Sequence, residues 1–103
     1  MAKTAELSPQ ARKDLLAATR RIAVDSPWAS RRFRTAVAAA GELIGKHPHA
    51  GSVRPEFLAG PTRFLTLKRF PYLLAYNPEA SPPLILRIIH AARDLPAVLS
   101  DLN

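Results

Sequence analysis

The chain is expected to fold as α+β: an N-terminal strand, an antiparallel helix hairpin, a three-stranded antiparallel meander and a short C-terminal segment. Three features carry that expectation. The pairs Ser8-Pro9 and Ser26-Pro27 each precede a stretch of helical periodicity. Three runs rich in Leu, Ile, Tyr and Phe follow, and glycine and proline concentrate between the two halves. No internal repeat or low-complexity linker interrupts residues 1–103, which read as a single domain.

Thr4-Ala5-Glu6-Leu7 alternates polar and apolar, the pattern of a strand with one buried face. Ser8 then offers a capping hydroxyl, and Pro9 a first helical residue whose missing N–H costs nothing. Leu15, Ala18 or Thr19, and Ile22 recur at helical spacing, with Arg12, Lys13, Arg20 and Arg21 on the remaining faces. Ser26-Pro27 restarts a helix almost at once, so the two helices must run antiparallel. Phe33, Val37, Ala40 and Ile44 form one continuous apolar stripe on the second. Trp28 is placed to anchor its first turn, Gly45 to stop it, and His47-Pro48 to prevent any continuation.

Between Ala50 and Pro61, the residues Gly51, Pro55, Gly60 and Pro61 break any regular pattern and predict a connecting loop. Strands are expected over Arg63–Arg69, Tyr72–Tyr76 and Leu84–Ala91, with Pro71 separating the first two. Asn77–Pro83 holds three prolines and predicts an exposed hairpin turn, and Asp94 is placed to cap a short final helix through Leu102. The helix stripes must bury against something, and one face of the meander is the large partner available. Its other face is left to solvent or to a partner.

Composition narrows the chemistry. A chain of 103 residues with 48% hydrophobic content buries roughly two thirds of its unfolded surface and needs no staple. There is no cysteine, which excludes disulfides, thiolate metal sites and a catalytic thiol. His47 and His49 flank Pro48, but two imidazoles without carboxylate or thiolate partners are too few for a metal. Neither metal nor cofactor is expected. The first residues, Met1-Ala2-Lys3-Thr4, lack the apolar core of a signal peptide, and no apolar run approaches the ~20 residues that span a bilayer. A cytoplasmic protein with no membrane partner is the expectation. Fifteen Lys and Arg against eight Asp and Glu give a net charge of +7. That balance favours an anion, be it nucleic acid, an acidic protein or anionic lipid, although it also serves solubility alone. Most of the excess is Arg, whose planar fork suits phosphate or carboxylate.

The most informative stretch is Leu84–Asp94, an apolar strand ending in a polar cluster. Without a bulge, Arg87 and Arg93 would share one face and His90 the other. Its ending, His90-Ala91-Ala92-Arg93-Asp94, resembles the His-x-x-Arg-Asp terminus of the last core strand in the RelE/ParE toxin superfamily. Phe70-Pro71-Tyr72-Leu73-Leu74-Ala75-Tyr76 is similar to that family's Phe-Pro-Tyr-apolar-apolar-x-Tyr strand, and Leu7-Ser8-Pro9, Ala11 and Asp14-Leu15 match its opening. The matches occur in family order over nearly the whole chain. The resemblance, nearest to the ParE-like members, implies a RelE/ParE-like fold and a type II toxin. It also implies a partner, a cognate antitoxin whose disordered segment wraps the toxin in a hetero-oligomer.

The resemblance leaves two activities open. ParE-like members inhibit DNA gyrase, whereas RelE-like members cleave mRNA on the ribosome. Cleavage by a 2′-hydroxyl needs a base, an acid and cations around the phosphate. RelE-like nucleases resemble one another in carrying catalytic Lys or Arg in the first meander strands, with a Tyr or a Glu-His pair near the last. Here Lys68 and Arg87 match the basic positions loosely, no aromatic residue follows Arg93, and no carboxylate accompanies His90. The incomplete set favours gyrase and leaves the catalytic residues unassigned. If the chain is a nuclease, Lys68, Arg87, His90 and Arg93 are its set. Arg63, Lys68, Arg69, Arg87, His90 and Arg93 are the candidates for contact with a target or anion, and Arg20, Arg31 and Arg34 for contact with the antitoxin. The arginines around the hairpin junction also suit a third reading, a non-enzymatic nucleic-acid-binding module. Structural roles stand beside these: His90 as a hydrogen-bonding residue at a strand end, Arg93-Asp94 as an ion pair or cap, and Tyr72 and Tyr76 as core or edge residues.

Overall fold

The computed structural model describes residues 4–102. Met1 to Lys3, read above for the absence of a signal sequence, lie outside the described residues. The elements are β1 (Glu6–Leu7), α1 (Pro9–Asp25), α2 (Pro27–Lys46), β2 (Ser52–Val53), β3 (Arg63–Thr66), β4 (Tyr72–Asn77), β5 (Leu84–His90) and α3 (Leu95–Leu99), followed by a 3-10 turn at Ser100–Leu102. Five strands form one mixed sheet in the order β1-β5-β4-β3-β2, with β1 parallel to β5 and the other pairs antiparallel. The α+β expectation holds. No described helix is long and apolar enough to cross a membrane.

Both Ser-Pro starts work as the sequence predicts. The Ser8 Oγ accepts from the Ala11 N–H at 3.0 Å and the Ser26 Oγ from the Ala29 N–H at 3.1 Å, each cap contributing about 1 kcal/mol. Ser26 also closes α1, donating its own N–H to the Ile22 carbonyl at 3.0 Å. One residue therefore ends one helix and begins the next, which makes the hairpin tight. The α2 stripe is buried as expected, with Phe33 and Ile44 fully inaccessible. It packs with Ala11 and Ala18 of α1 over Tyr72, Leu74, Tyr76, Ile85 and Ile88 of the sheet. Phe33 is central, its ring 5.0 Å from Tyr72 and 5.3 Å from Phe70.

Several expectations are corrected. α2 runs through Gly45 to Lys46. A glycine stop acts through a left-handed residue, whereas here His47 leaves the helix at φ −134° and Pro48 follows. Trp28 does not anchor the first turn inward: it is 60% exposed, and the Arg32 guanidinium lies 4.7 Å from its ring. The loop after α2 contains β2, paired with β3 through Ser52 opposite Phe64. Tyr76 holds that loop, donating its hydroxyl proton to the Pro48 carbonyl at 2.6 Å and accepting from the Gly51 N–H at 2.8 Å. Gly51 is required there, since a Cβ would fall 2.6 Å from the Phe64 carbonyl oxygen. β3 stops at Thr66, which places Lys68 and Arg69 in the turn to β4, and β5 ends at His90 rather than Ala91.

The second face of the sheet is not left open. Leu73, Ala75 and Ile89 on that face, with Phe64, are covered by Leu58 from the loop and by Leu95 and Leu99 of α3, forming a second core. Asp94 caps α3 as expected, accepting from the Ala97 N–H at 3.3 Å. Leu99 is fully buried, a burial that contributes about 2 kcal/mol.

Candidate functional site

β5 does not run straight. Opposite the step from Ala75 to Tyr76 it holds one extra residue, Leu86, so Arg87 pairs with Ala75 while Ile85 pairs with Tyr76. The bulge resets the alternation of side chains, and Ile85 and Ile88 both enter the helix-side core. Past Ile85, where β1 ends, the outer margin of β5 lies against α1. Asp14 fills the place of a neighbouring strand there. Its Oδ2 accepts from the Ile88 N–H at 3.0 Å and from Arg87 Nε at 2.8 Å. Its Oδ1 accepts from Arg87 Nη2 at 3.3 Å and from Gln10 Nε2 at 3.0 Å. Arg87 Nη1 reaches the Val98 carbonyl at 3.4 Å, so one guanidinium ties α1, β5 and α3 together. The side chains of this pair are only 15% and 10% exposed. Hydrogen bonding to Asp14 outweighs burial and raises the Arg87 pKa above its already high value, so Arg87 stays charged.

Beside this pair lies a cleft of about 320 Å³ between α1 and the end of β5. His90 and Tyr72 form part of its wall, their rings edge to face at 5.1 Å. The His90 Nδ1 accepts from the Ala92 N–H at 3.0 Å. That bond leaves Nε2 as the protonated nitrogen of the neutral ring. Arg93 lies in the bend after the strand and Arg21 on α1, both exposed and without an ion-pair partner among the described residues.

Of the residues expected to meet a target, the cleft therefore gathers Arg87, His90 and Arg93. The parity expectation fails on two counts: the bulge intervenes, and Arg93 stands beyond the strand. Lys68 and Arg69 lie elsewhere, in the β3–β4 turn with Arg31 and Arg32. Arg63 is further off and donates through Nη1 to the Gly51 carbonyl at 2.7 Å. No one groove gathers the three expected antitoxin contacts. Arg34 lines a groove between α1 and α2 with Leu7 and Leu15, Arg31 borders the β3–β4 turn, and Arg20 is exposed on α1. Arg21 and Asp14 belong to the cleft although neither was singled out as a site residue. Asp14 is the one acidic residue of α1 before its last position, among Arg12, Lys13, Arg20 and Arg21, and that isolation is the signal that could have found it.

Chemically the cleft offers cations and one imidazole. Asp14 has both oxygens engaged by donors, and Tyr72 is buried. A phosphate or carboxylate could be held by Arg21 and Arg93, with His90 within the same wall. Among the described residues no group of acids and histidines is arranged to hold a metal ion.

No curated protein matches the chain in sequence. Among solved structures it is similar to a chain described as the chromosomal ParDE toxin–antitoxin system from P. aeruginosa, with a TM-score of 0.72 and 21% identity over 86% of this chain and 96% of that one. At that identity the likeness establishes the fold. The family model of the ParE toxin of type II toxin–antitoxin systems, parDE, matches residues 5–95, from the residue before β1 to the first residue of α3. With that match over most of its length, the chain belongs to the ParE toxin family of type II toxin–antitoxin systems.

Proposed function

We propose that this chain inhibits DNA gyrase and is neutralised by a cognate antitoxin. The observation that carries the reading is the engagement of Asp14 by Arg87, Gln10 and the Ile88 N–H. It removes from the cleft the one carboxylate that could serve beside His90 as an acid or base, and transfer to a 2′-hydroxyl needs both roles filled. Membership of the ParE toxin family supports the same conclusion, since gyrase inhibition is what the resemblance to ParE-like toxins implies. Arg21, His90 and Arg93 are then the residues that meet the target, as anion contacts rather than as catalysts. The test is the supercoiling of relaxed plasmid by purified gyrase with increasing amounts of this protein, with and without the product of the neighbouring reading frame. Inhibition that the neighbour's product reverses supports the reading. Full supercoiling at micromolar protein overturns it.

The ribosome-dependent nuclease is the second reading, favoured by the gathering of Arg87, His90 and Arg93 in one cleft. Lys68, the fourth residue of that set, lies outside this cleft in the β3–β4 turn. Cleavage of mRNA in a ribosome assay, abolished by His90→Ala, would establish the nuclease.

A further inference from the structure

β4 places two tyrosines in the helix-side core, and their hydroxyls fare differently. Tyr76 donates to the Pro48 carbonyl and accepts from the Gly51 N–H, so its oxygen is engaged within the fold. Tyr72 is 6% exposed, its ring packed against Phe33 and His90, and its hydroxyl makes no hydrogen bond among the described residues. No unpartnered side-chain oxygen is sealed from solvent there. The Tyr72 hydroxyl therefore emerges where the residue meets the surface, in the cleft at the end of β5 and in a hollow beside it. A phenylalanine would fill the core as well, so nothing within the fold accounts for this oxygen.

The hollow, of about 280 Å³, continues the cleft past Arg21, Tyr72 and His90, which line both. The two differ in chemistry. The cleft gathers Arg21, Arg93 and His90, whose guanidinium groups and Nε2–H have no acceptor among the described residues. The hollow is walled by Ile22, Ala29, Phe70 and Pro71 and carries a single carboxylate, the exposed Asp25, which has no ion-pair partner among the described residues. A ligand that fills both must join a compact anion to a flat apolar body with hydrogen-bond donors on its rim.

We infer that the cleft and the hollow together bind a nucleotide, its phosphate among Arg21, Arg93, His90 and the Tyr72 hydroxyl, its base against Phe70 and Pro71. The inference rests on the reading of Arg21, His90 and Arg93 as anion contacts, and not on gyrase as their target. Two guanidinium forks, an imidazole N–H and a phenol supply charge-assisted hydrogen bonds to phosphate oxygens. An aromatic wall offers stacking that any base can use. Asp25 adds a preference for guanine, whose N1–H and amino group donate side by side to a carboxylate. A bare anion would leave the apolar hollow unfilled. An acidic peptide would satisfy the cations but bring its further carboxylates against Asp25.

The test measures, by calorimetry, the binding of guanosine 5′-monophosphate, uridine 5′-monophosphate, guanosine and inorganic phosphate to the full chain. The guanine nucleotide should bind about tenfold more tightly than guanosine or inorganic phosphate, since each of those meets one of the two parts alone. Tyr72→Phe keeps the ring against Phe33 and His90 and removes only the oxygen. It should weaken nucleotide binding about fivefold to tenfold while the unliganded protein melts at the parent's temperature. Arg21→Gln should weaken binding about tenfold, and Asp25→Asn should narrow the gap between the guanine and uracil nucleotides. A 5′-phosphorylated trinucleotide that begins with guanosine and binds more tightly still would support the site and place its ligand at the end of a strand. Inorganic phosphate bound as tightly as the nucleotide, or an unchanged affinity in Tyr72→Phe, overturns the inference. No binding at millimolar nucleotide, with gyrase still inhibited, overturns it and leaves the proposed function standing. Nucleotide bound as expected by a chain that leaves gyrase active supports the site and removes gyrase as the target.

Discussion

Two basic clefts of about 320 Å³ each, one at the end of β5 and one between α2 and the β3–β4 turn, differ in how their cations are held. In the cleft at the end of β5, Arg87 is held by a buried carboxylate and a carbonyl, and its charge belongs to the fold. In the trough along α2, four cations stand together without a carboxylate. The same residue type is therefore structural at Arg87 and, among the described residues, unpaired at Arg21 and Arg93 of the same cleft and at the cations along α2, and what decides between the two states is a single acid, Asp14. A count of positive charges along the chain cannot separate the two.

The largest effect should come from removing that acid. Asp14→Ala leaves the Arg87 guanidinium and the Ile88 N–H short of partners at once, which should cost about 2–4 kcal/mol of stability; a loss below 1 kcal/mol in urea unfolding would erase the contrast. Arg87→Lys keeps the charge but cannot reach both Asp14 oxygens and the Val98 carbonyl together, and should cost about 1–2 kcal/mol by the same measurement. Raising the pH sharpens the comparison from another side. Burial raises the Tyr76 pKa above its ordinary 10.0, so this group favours the folded state fully below that value and loses its contribution as pH rises through the higher folded value. Hydrogen bonding to Asp14 raises the Arg87 pKa further above its already high ordinary value, so its contribution stays present through the same range. Stability should then fall above pH 10 through Tyr76 rather than through the cleft, and less steeply in Tyr76→Phe, even though that variant begins from a lower stability. The smallest effect is expected in the trough, where Lys68→Ala or Arg31→Ala should change stability by no more than about 0.5 kcal/mol. A clear loss there would mean that these cations, too, hold the fold.

Much of the architecture was legible because it rests on short-range signals. Ser8 and Ser26 announce helix starts through hydroxyls that reach only three residues ahead, and the Phe33 stripe repeats often enough to define a face. The failures share a different origin. Gly45 has the identity of a stop, but a stop also needs a conformation, which only the chain after it determines. The second core is covered by Leu58, Leu95 and Leu99, too few and too scattered for any period to reveal. His90 and Arg93 could be singled out as candidates because one ends and the other follows an apolar strand, and the fold brings both to one cleft. The partner of Arg87 could not be: Asp14 is 73 residues away along the chain. A one-residue bulge at Leu86, invisible in the run Leu84–His90, then decided which side chains face which layer.

The way β5 is finished also bears on how the protein behaves when crowded. A sheet margin with unpaired amides is a template on which another chain can add a strand. Here the Ile85 carbonyl is taken by the Ser8 N–H, the Leu86 carbonyl by the Ser8 hydroxyl and the Ile88 N–H by Asp14. One margin is thus sealed by side chains and the start of a helix. At the opposite margin β2 pairs with β3 only at Arg63 and Phe64, leaving Leu65 and Thr66 beyond its reach. Unwanted growth of the sheet, the first step toward aggregation at high concentration, has one side from which to begin, and a charge introduced at Thr66 would guard it.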